Sequence, residues 1–140
     1  MGQFSSSDHL EPSGPQRAKG AALITGGAWG IGSRIARRLK ADGFRVVIAD
    51  VDQDAGERVR AELGVEFVLA DSASEADMRR AVNLSGPVEV LVNNVGIRGA
   101  TCALWEIPIG DFRRTIEINT VSHIFMAQLV APAMIERRSG

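Results

Sequence analysis

The feature that most constrains this chain is a glycine-rich turn between a strand-like and a helix-like segment. The turn, Thr25-Gly26-Gly27-Ala28-Trp29-Gly30-Ile31-Gly32, follows the apolar run at 21–25 and precedes apolar residues at helical spacing. Glycines let the backbone turn sharply and approach a pyrophosphate, and the helix N-terminus offers free N–H groups and a positive dipole end. Because the turn lies between strand and helix, as this mechanism requires, it predicts a dinucleotide phosphate loop rather than a structural turn alone.

Strand-like and helix-like segments alternate after residue 20. The pattern predicts strands at 21–25, 45–50, 65–70 and 88–92, and helices at 31–41, 54–63, 74–82 and from about 111 towards 138. Such alternation predicts an α/β fold, a Rossmann-like doubly wound parallel sheet with helices on both faces. Since a sheet of this type usually has about six strands, four strands predict a C-terminally truncated fold. The strand at 88–92 would then be an exposed apolar edge.

The last helical stretch carries two interruptions. A β-branched cluster lies at 115–121, and Pro132 follows. Proline lacks a backbone N–H and clashes with the preceding helical turn, so we expect Pro132 to open a new turn or to bend the helix.

Composition limits the domain organisation and the setting. Residues 1–18 are rich in Ser, Pro and Gly and predict a disordered tail, which leaves 19–140 as an incomplete NAD(P)-binding Rossmann domain. The N-terminus lacks the basic and hydrophobic regions of a secretory signal, and the apolar runs fall far short of the ~20 residues of a membrane span. The single cysteine, Cys102, excludes an internal disulfide framework and a cysteine-cluster zinc site. We therefore expect a cytoplasmic protein with no metal site and no membrane partner.

Charge argues against a nucleic-acid partner. Sixteen basic and 17 acidic residues give a formal net charge of −1, whereas electrostatic binding to nucleic acid needs a basic excess on one face.

Asp50 ends the second predicted strand. A carboxylate there can accept hydrogen bonds from both ribose hydroxyls of an adenosine, and it would repel a 2′-phosphate. Val51 follows it, rather than Arg or Lys, and Trp29 rather than a basic residue precedes Gly30. These residues favour NAD over NADP, although an Asp at a strand end can also be a simple cap.

Three motifs in the same order make the chain similar to a known family. They are Thr25-Gly26-x-x-x-Gly30-x-Gly32, Asn93-Asn94-Val95-Gly96 after the fourth predicted strand, and Asn119 in the long helix. From about Lys19 to Gly140 the chain resembles the short-chain dehydrogenase/reductase family, in which Ala is usual where Val95 stands.

The resemblance implies roles for particular residues. The cofactor turn would contain Gly26, Gly30 and Gly32, and Trp29 and Ile31 would line it. Asp50 and Val51 would contact the adenosine ribose, and Asp71 and Ser72 would contact the adenine amino group. Asn93, Val95 and Gly96 would stabilise the sheet and contact the nicotinamide-side ribose. Asn119 would take a catalytic role, anchoring a proton-relay water through its backbone at a helix distortion. Structural alternatives remain open: Asp71 as a helix cap, Asn93 and Asn94 as strand ties, and His123 as a structural residue.

The resemblance also implies an activity, reversible hydride transfer between NAD and a small alcohol or ketone. The family uses Tyr-x-x-x-Lys and a nearby Ser, with the Tyr as general acid and base. This chain has no tyrosine, and no lysine follows Lys40, so we expect these 140 residues alone to be inactive. The family often forms dimers or tetramers through the long helix, which makes a homo-oligomer an implied partner. The stretch between Asp71 and Asn93 is about one helical turn (~3.6 residues) shorter than is usual, which predicts a short third helix.

Other classes of function remain as alternatives. One is a non-catalytic dinucleotide-binding or regulatory module, and another is a fragment without a function of its own. A phospho-acceptor receiver domain also has acids at strand ends, but it needs an acidic cluster where this chain has the glycine-rich turn.

Overall fold

The computed structural model describes residues 19–140, so the tail predicted at 1–18 lies outside the described residues. Four strands form one parallel sheet: β1 (Ala21–Thr25), β2 (Arg45–Asp50), β3 (Glu66–Leu69) and β4 (Val88–Val92). The strand order is β3-β2-β1-β4, and in this register Leu23 lies between Val47 and Leu91. The glycine-rich turn therefore leaves from a central strand.

Helices connect the strands and follow the last one. They are α1 (Gly30–Ala41), α2 (Gln53–Leu63), α3 (Glu75–Ser85), α4 (Ile109–Ile116) and α5 (Ser122–Arg137), with a short 3-10 turn at Leu104–Glu106. Side chains that precede two of the helices cap them: Asp52 accepts from the Ala55 N–H and Ser74 from the Asp77 N–H.

The two faces of the sheet carry separate cores, as strand alternation requires. Ala22 and Ile24 of β1 pack on the side of α1 and α2, against residues that include Ala36 and Val59. Leu23 points to the other face, where Met78 of α3 and Met126 of α5 cover it. The predicted doubly wound sheet with helices on both faces is therefore confirmed.

The third crossover helix is longer than the sequence indicated. The helix α3 ends at Ser85, so the predicted end at about Val82 is wrong, while a third helix shorter than is usual in the family stays a prediction. Ser85 in its last turn is fully buried, and its hydroxyl donates to Ala81 O of the same helix at 2.7 Å. A long-range contact also holds this turn, because the Arg45 guanidinium donates to the Ser85 carbonyl.

The long helical stretch is distorted at its centre but continuous around its proline. A π-helical turn at Glu117–Val121 joins α4 to α5, at the predicted β-branched interruption. Of the two expected effects of Pro132, the opening of a new turn is wrong, because α5 continues through it to Arg137, and a bend in the helix stays a prediction. Tertiary contacts on both sides of the proline support the helix, since Val130 is buried and Arg137 donates to Val88 O at 2.7 Å.

This continuous segment, Ile109–Arg137, is long and apolar enough to cross a membrane by length and composition. The sequence analysis expected every apolar run to fall far short of a membrane span, and this helix departs from that expectation. In this fold the segment packs Met126 and Val130 into the core beside the sheet. Only 22% of the apolar window is buried, and one such helix is weak evidence for a membrane span.

The strand β4 lies at one edge of the sheet. Within residues 19–140 only β1 pairs with it, and most of its side chains are half-buried. The predicted edge position is confirmed.

Candidate cofactor site

The glycine-rich turn folds back on itself where α1 begins. Gly26 has a φ of +64° and its N–H donates to Ala49 O at 2.8 Å. A Cβ on Gly32 would lie 2.2 Å from the Gly26 carbonyl oxygen, so only glycine fits there without a backbone shift. In contrast, a Cβ on Gly30 would meet nothing within 4 Å, so the turn is open on that side.

The open side of the turn is the N-terminus of α1. Trp29 gives the helix no side-chain cap, and its first turn holds no acidic residue. The first N–H groups of a helix lack intrahelical partners, and they favour an anion. Ile31 lies exposed beside them. This arrangement suits a phosphate group.

Asp50 stands beside the turn with its carboxylate already oriented. The Ala28 N–H donates to Oδ2 at 3.0 Å, and the Asp52 N–H donates to Oδ1 at 3.1 Å. A carboxylate can accept about four hydrogen bonds, so both oxygens retain capacity for two sugar hydroxyls. Val51, the next residue, is exposed and supplies no cation.

Trp29 takes part in a contact that the sequence analysis missed. Its indole N–H donates to Asp52 Oδ2 at 3.0 Å, and the Arg58 guanidinium lies 5.2 Å from the indole ring centroid. The Ala55 N–H at the helix cap and the Trp29 indole both lower the pKa of Asp52. The indole lines a separate cavity of about 400 Å³ between α1 and α2, shared with Arg34 and Arg58. The signal available in the sequence was the Asp at the N-cap position before α2.

A second cavity, of about 90 Å³, lies at the carboxyl ends of β1, β2 and β3. It brings together many of the predicted residues, namely Gly26, Asp50, Val51, Asp71, Ser72 and Val95. Arg114 of α4 and Ile118 of the π-helical turn complete it, and the sequence analysis missed both. We call this cavity the base cavity.

Asp71 is fixed at one end of the base cavity. Its Oδ1 accepts from the Ala73 N–H at 2.9 Å, and its Oδ2 lies 3.5 Å from the Arg114 guanidinium. The cap of α3 is Ser74, so the alternative of Asp71 as that cap does not hold.

The asparagine motif divides into two roles. Asn94 donates from Nδ2 to Thr25 O and Gly26 O at 3.0 and 2.9 Å, which ties the glycine-rich turn to the end of β4. Asn93 instead donates to His123 O of α5 at 3.1 Å and does not line the base cavity. The residue that holds the turn is therefore Asn94, which the sequence analysis considered only as a strand tie.

Asn119 lies in the π-helical turn, which is the helix distortion that the resemblance implied. Its amide accepts from the Ile97 N–H and donates to the Ile97 carbonyl, both at 2.8 Å. Gly96 lies beside it, since a Cβ there would be 3.6 Å from Asn119 Oδ1. His123 Nε2 lies 2.9 Å from Val95 O, a contact that supports a structural role for this histidine.

This geometry agrees with the comparison with known families. A family model described as short chain dehydrogenase matches residues 20–140. The chain belongs to the short chain dehydrogenase family.

Relatives and solved structures in this family resemble much of the chain. The 2-dehydro-3-deoxy-L-rhamnonate dehydrogenase (NAD(+)) of Sphingomonas sp. (strain SKA58) is 36% identical, over 85% of this chain and 50% of its own length. The 3-ketoacyl-(acyl-carrier-protein) reductase from Brucella melitensis complexed with NADH superposes with a TM-score of 0.80 at 34% identity, over 84% of this chain and 51% of that one. A metagenomic short-chain oxidoreductase in complex with NADP gives 0.81 at 27% identity, over 86% and 59%.

The chain spans about half the length of the curated relatives that it matches. Its described part holds the glycine-rich turn, Asp50, the base cavity and the asparagine ties. These groups can hold a phosphate, a ribose and a base. Because the sequence contains no tyrosine, they do not include a tyrosine general acid.

Proposed function

We propose that this chain is the dinucleotide-binding part of an NAD-dependent short-chain oxidoreductase that acts on a small alcohol or ketone. The observation that carries the proposal is the Asp50 carboxylate, which two backbone N–H groups orient beside the glycine-rich turn. A helix N-terminus for the pyrophosphate and a cavity at the strand ends for the base lie on either side of it.

The cofactor preference in this proposal rests on charge. Asp50 and Asp52 place two carboxylates near the expected ribose. Val51 and Trp29 supply no cation to a 2′-phosphate, and the nearby Arg58 guanidinium lies against the Trp29 indole. Two like charges at 4 Å repel by about 1 kcal/mol even in water and by more at a protein surface. One similar structure holds NADH and another holds NADP, so the similar structures do not decide between the two cofactors. The preference for NAD is therefore argued from the residues of this chain alone.

The residues present fit such a cofactor, because the uncapped N-terminus of α1 offers donors to a pyrophosphate and the Asp50 carboxylate offers acceptors to a ribose. When bound, the nicotinamide would accept or donate the hydride. In this proposal the turn at Gly26, Gly30 and Gly32 binds the pyrophosphate, with Trp29 and Ile31 at its rim. Asp50 and Val51 contact the ribose, and Asp71 and Ser72 contact the base, while Asn93, Val95 and Gly96 shape the nicotinamide side. Asn119, held by Ile97, positions the distorted helix for a proton relay.

Binding without turnover is the expected behaviour of these 140 residues, because the family's general acid is a tyrosine and the chain has none. The second candidate is a non-catalytic dinucleotide-binding or regulatory module, which needs only the glycine-rich turn, Asp50 and the base cavity. We also propose a cytoplasmic setting, a homo-oligomer as partner and no nucleic-acid partner.

Calorimetric titration of the full chain with NAD⁺ and NADP⁺ tests the cofactor proposal. We expect NAD⁺ to bind at least about tenfold more tightly, which corresponds to ~1.4 kcal/mol. Asp50→Asn removes the charge and keeps a similar shape, so it should narrow this preference. The matched control is Asp54→Asn in the first turn of α2, which should leave the preference unchanged. Equal affinities in the unaltered chain would refute the NAD preference.

Absorbance of NADH at 340 nm, followed with a panel of alcohols and ketones, tests the expected inactivity. Turnover by the 140-residue chain would show that another group replaces the tyrosine. NAD⁺ binding without turnover agrees with both candidates, and a longer product of the same gene that turns over would favour the oxidoreductase.

A further inference from the structure

An acceptor and a donor stand side by side at the base cavity. The acceptor is the Asp71 carboxylate after β3, and the donor is the Arg114 guanidinium on α4, with 3.5 Å between Oδ2 and Nη2. Both residues line the cavity together with Asp50 and Ser72. The two groups come from distant parts of the chain, and only the fold brings them together.

Asp71 is the fixed member of this pair. The Ala73 N–H donates to its carboxylate, and its own N–H donates to Asp77 Oδ2 at 3.0 Å. Asp77 is in turn paired with Arg80 at 2.6 Å. The Asp71 N–H and the Arg80 guanidinium lower the pKa of Asp77, so the Asp77 carboxylate that holds Asp71 stays charged at neutral pH.

Arg114 is the adjustable member. Its side chain is 58% exposed, and among the described residues Asp71 is the only carboxylate that it meets. A long, exposed arginine can turn from Asp71 to another acceptor without a change in the core. The guanidinium therefore has donors to offer to a base that enters the cavity.

Purines differ at the edge that such a pair would meet. Adenine carries an amino donor at position 6, and 6-oxopurines such as hypoxanthine carry a carbonyl acceptor there. Asp71 can accept from the amino group, and Arg114 can donate to the carbonyl oxygen. The remaining walls include Val51, Ala70 and Ile118. These apolar groups would contact the faces of a bound base and would not distinguish the two purines.

We propose that Arg114 is a specificity-determining residue through which the base cavity accepts 6-oxopurine nucleotides as well as adenine nucleotides. The proposal rests on the proposed function, in that the base cavity must be the purine subsite of a bound dinucleotide. It gives the cavity a second class of ligand, the inosine nucleotides, which Asp71 alone would exclude by placing a carboxylate against a carbonyl oxygen.

The test is calorimetric titration of the full chain with ADP and with IDP, its hypoxanthine counterpart. Arg114→Met keeps much of the side-chain length and removes every donor. A hydrogen bond to a charged group is worth about 1.5–3 kcal/mol, so we expect IDP affinity to fall at least about tenfold and ADP affinity to change less than about threefold. Arg113→Met is the matched control, because it removes the same charge from a neighbouring residue that does not line the cavity.

Each outcome bears on the proposal. A selective loss of IDP binding in Arg114→Met, absent in Arg113→Met, supports it. Equal losses for ADP and IDP, no loss for either, or the same losses in both variants would overturn it. If the unaltered chain binds ADP but not IDP, the inference fails and the proposed function survives. If the chain binds neither ADP nor NAD⁺, the proposed function fails as well.

Discussion

At the scale of single residues, Gly32 is the position in the glycine-rich turn with the least space for a side chain. A Cβ there would lie 2.2 Å from Gly26 O and 2.7 Å from Asn94 Nδ2, so the turn would have to open. We therefore expect Gly32→Ala to lower NAD⁺ affinity by more than about tenfold, or ~1.4 kcal/mol, in calorimetric titration.

The control for this change is Gly43→Ala. Gly43 has a φ of +88°, and a Cβ there would meet nothing within 4 Å. The substitution should cost about 1–2 kcal/mol of stability through backbone strain and leave NAD⁺ affinity unchanged. If both variants lose affinity equally, general destabilisation explains the result and the close approach at Gly32 does not.

Acid should weaken the folded state through Asp52 and Asp77. Backbone N–H groups are the largest cause of the lowered pKa at both residues, from Ala55 at Asp52 and from Asp71 at Asp77. Since each folded-state pKa lies below the unfolded value of about 3.9, the stabilisation is present above that pH and is lost as the pH falls through the folded-state pKa.

Urea unfolding between pH 6 and pH 2.5 measures this dependence. The variant Asp77→Asn should have a shallower loss of unfolding free energy below about pH 4 than the unaltered chain. Asp54→Asn serves as the reference, because it removes an exposed carboxylate from the first turn of α2. Identical slopes for Asp77→Asn and the unaltered chain would contradict the prediction.

At the scale of elements, local patterns predicted the order of strands and helices and failed where distant contacts decide. The glycines after α2 and α3 and the capping Ser74 are local signals, and they mark real boundaries. The last turn of α3 depends instead on Arg45, which is 40 residues away from Ser85 in the chain. Gly86 marks where this turn ends, but no local pattern predicts the contact with Arg45.

Pro132 is a second position where tertiary contacts outweigh a local signal, because α5 continues through it. It removes one backbone hydrogen bond from α5, and its ring crowds the preceding turn. Proline is about 3 kcal/mol less favourable than alanine inside a helix, and part of that is offset because proline restricts the unfolded chain. We expect Pro132→Ala to raise the unfolding free energy by about 1–2 kcal/mol in urea titration, and a decrease would show that the proline is needed for packing.

At the scale of the whole molecule, the site separates into a part that the sequence predicted and a part that only the fold creates. The turn and Asp50 are adjacent to recognisable strands, so their place followed from the pattern of alternation. Arg114, Ile118 and Asn94 join the site through tertiary packing across the carboxyl ends of the strands. Arg114 and Ile118 match no local template, so the sequence analysis assigned them no site role. Asn94 lies in the asparagine motif and was considered only as a strand tie.

The apolar surface after β4 should govern how the chain behaves in solution. Leu104 is 79% exposed and Trp105 87% exposed, and both lie in the short 3-10 turn before α4. Contiguous apolar patches of this kind promote association between molecules. We expect the 140-residue chain to associate with increasing concentration in sedimentation velocity, and the double substitution L104S/W105S to reduce that association while NAD⁺ affinity stays the same. Leu84→Ser, at an exposed leucine on α3, is the control, and an equal reduction there would mean that general hydrophobicity, rather than the surface around Trp105, drives the association.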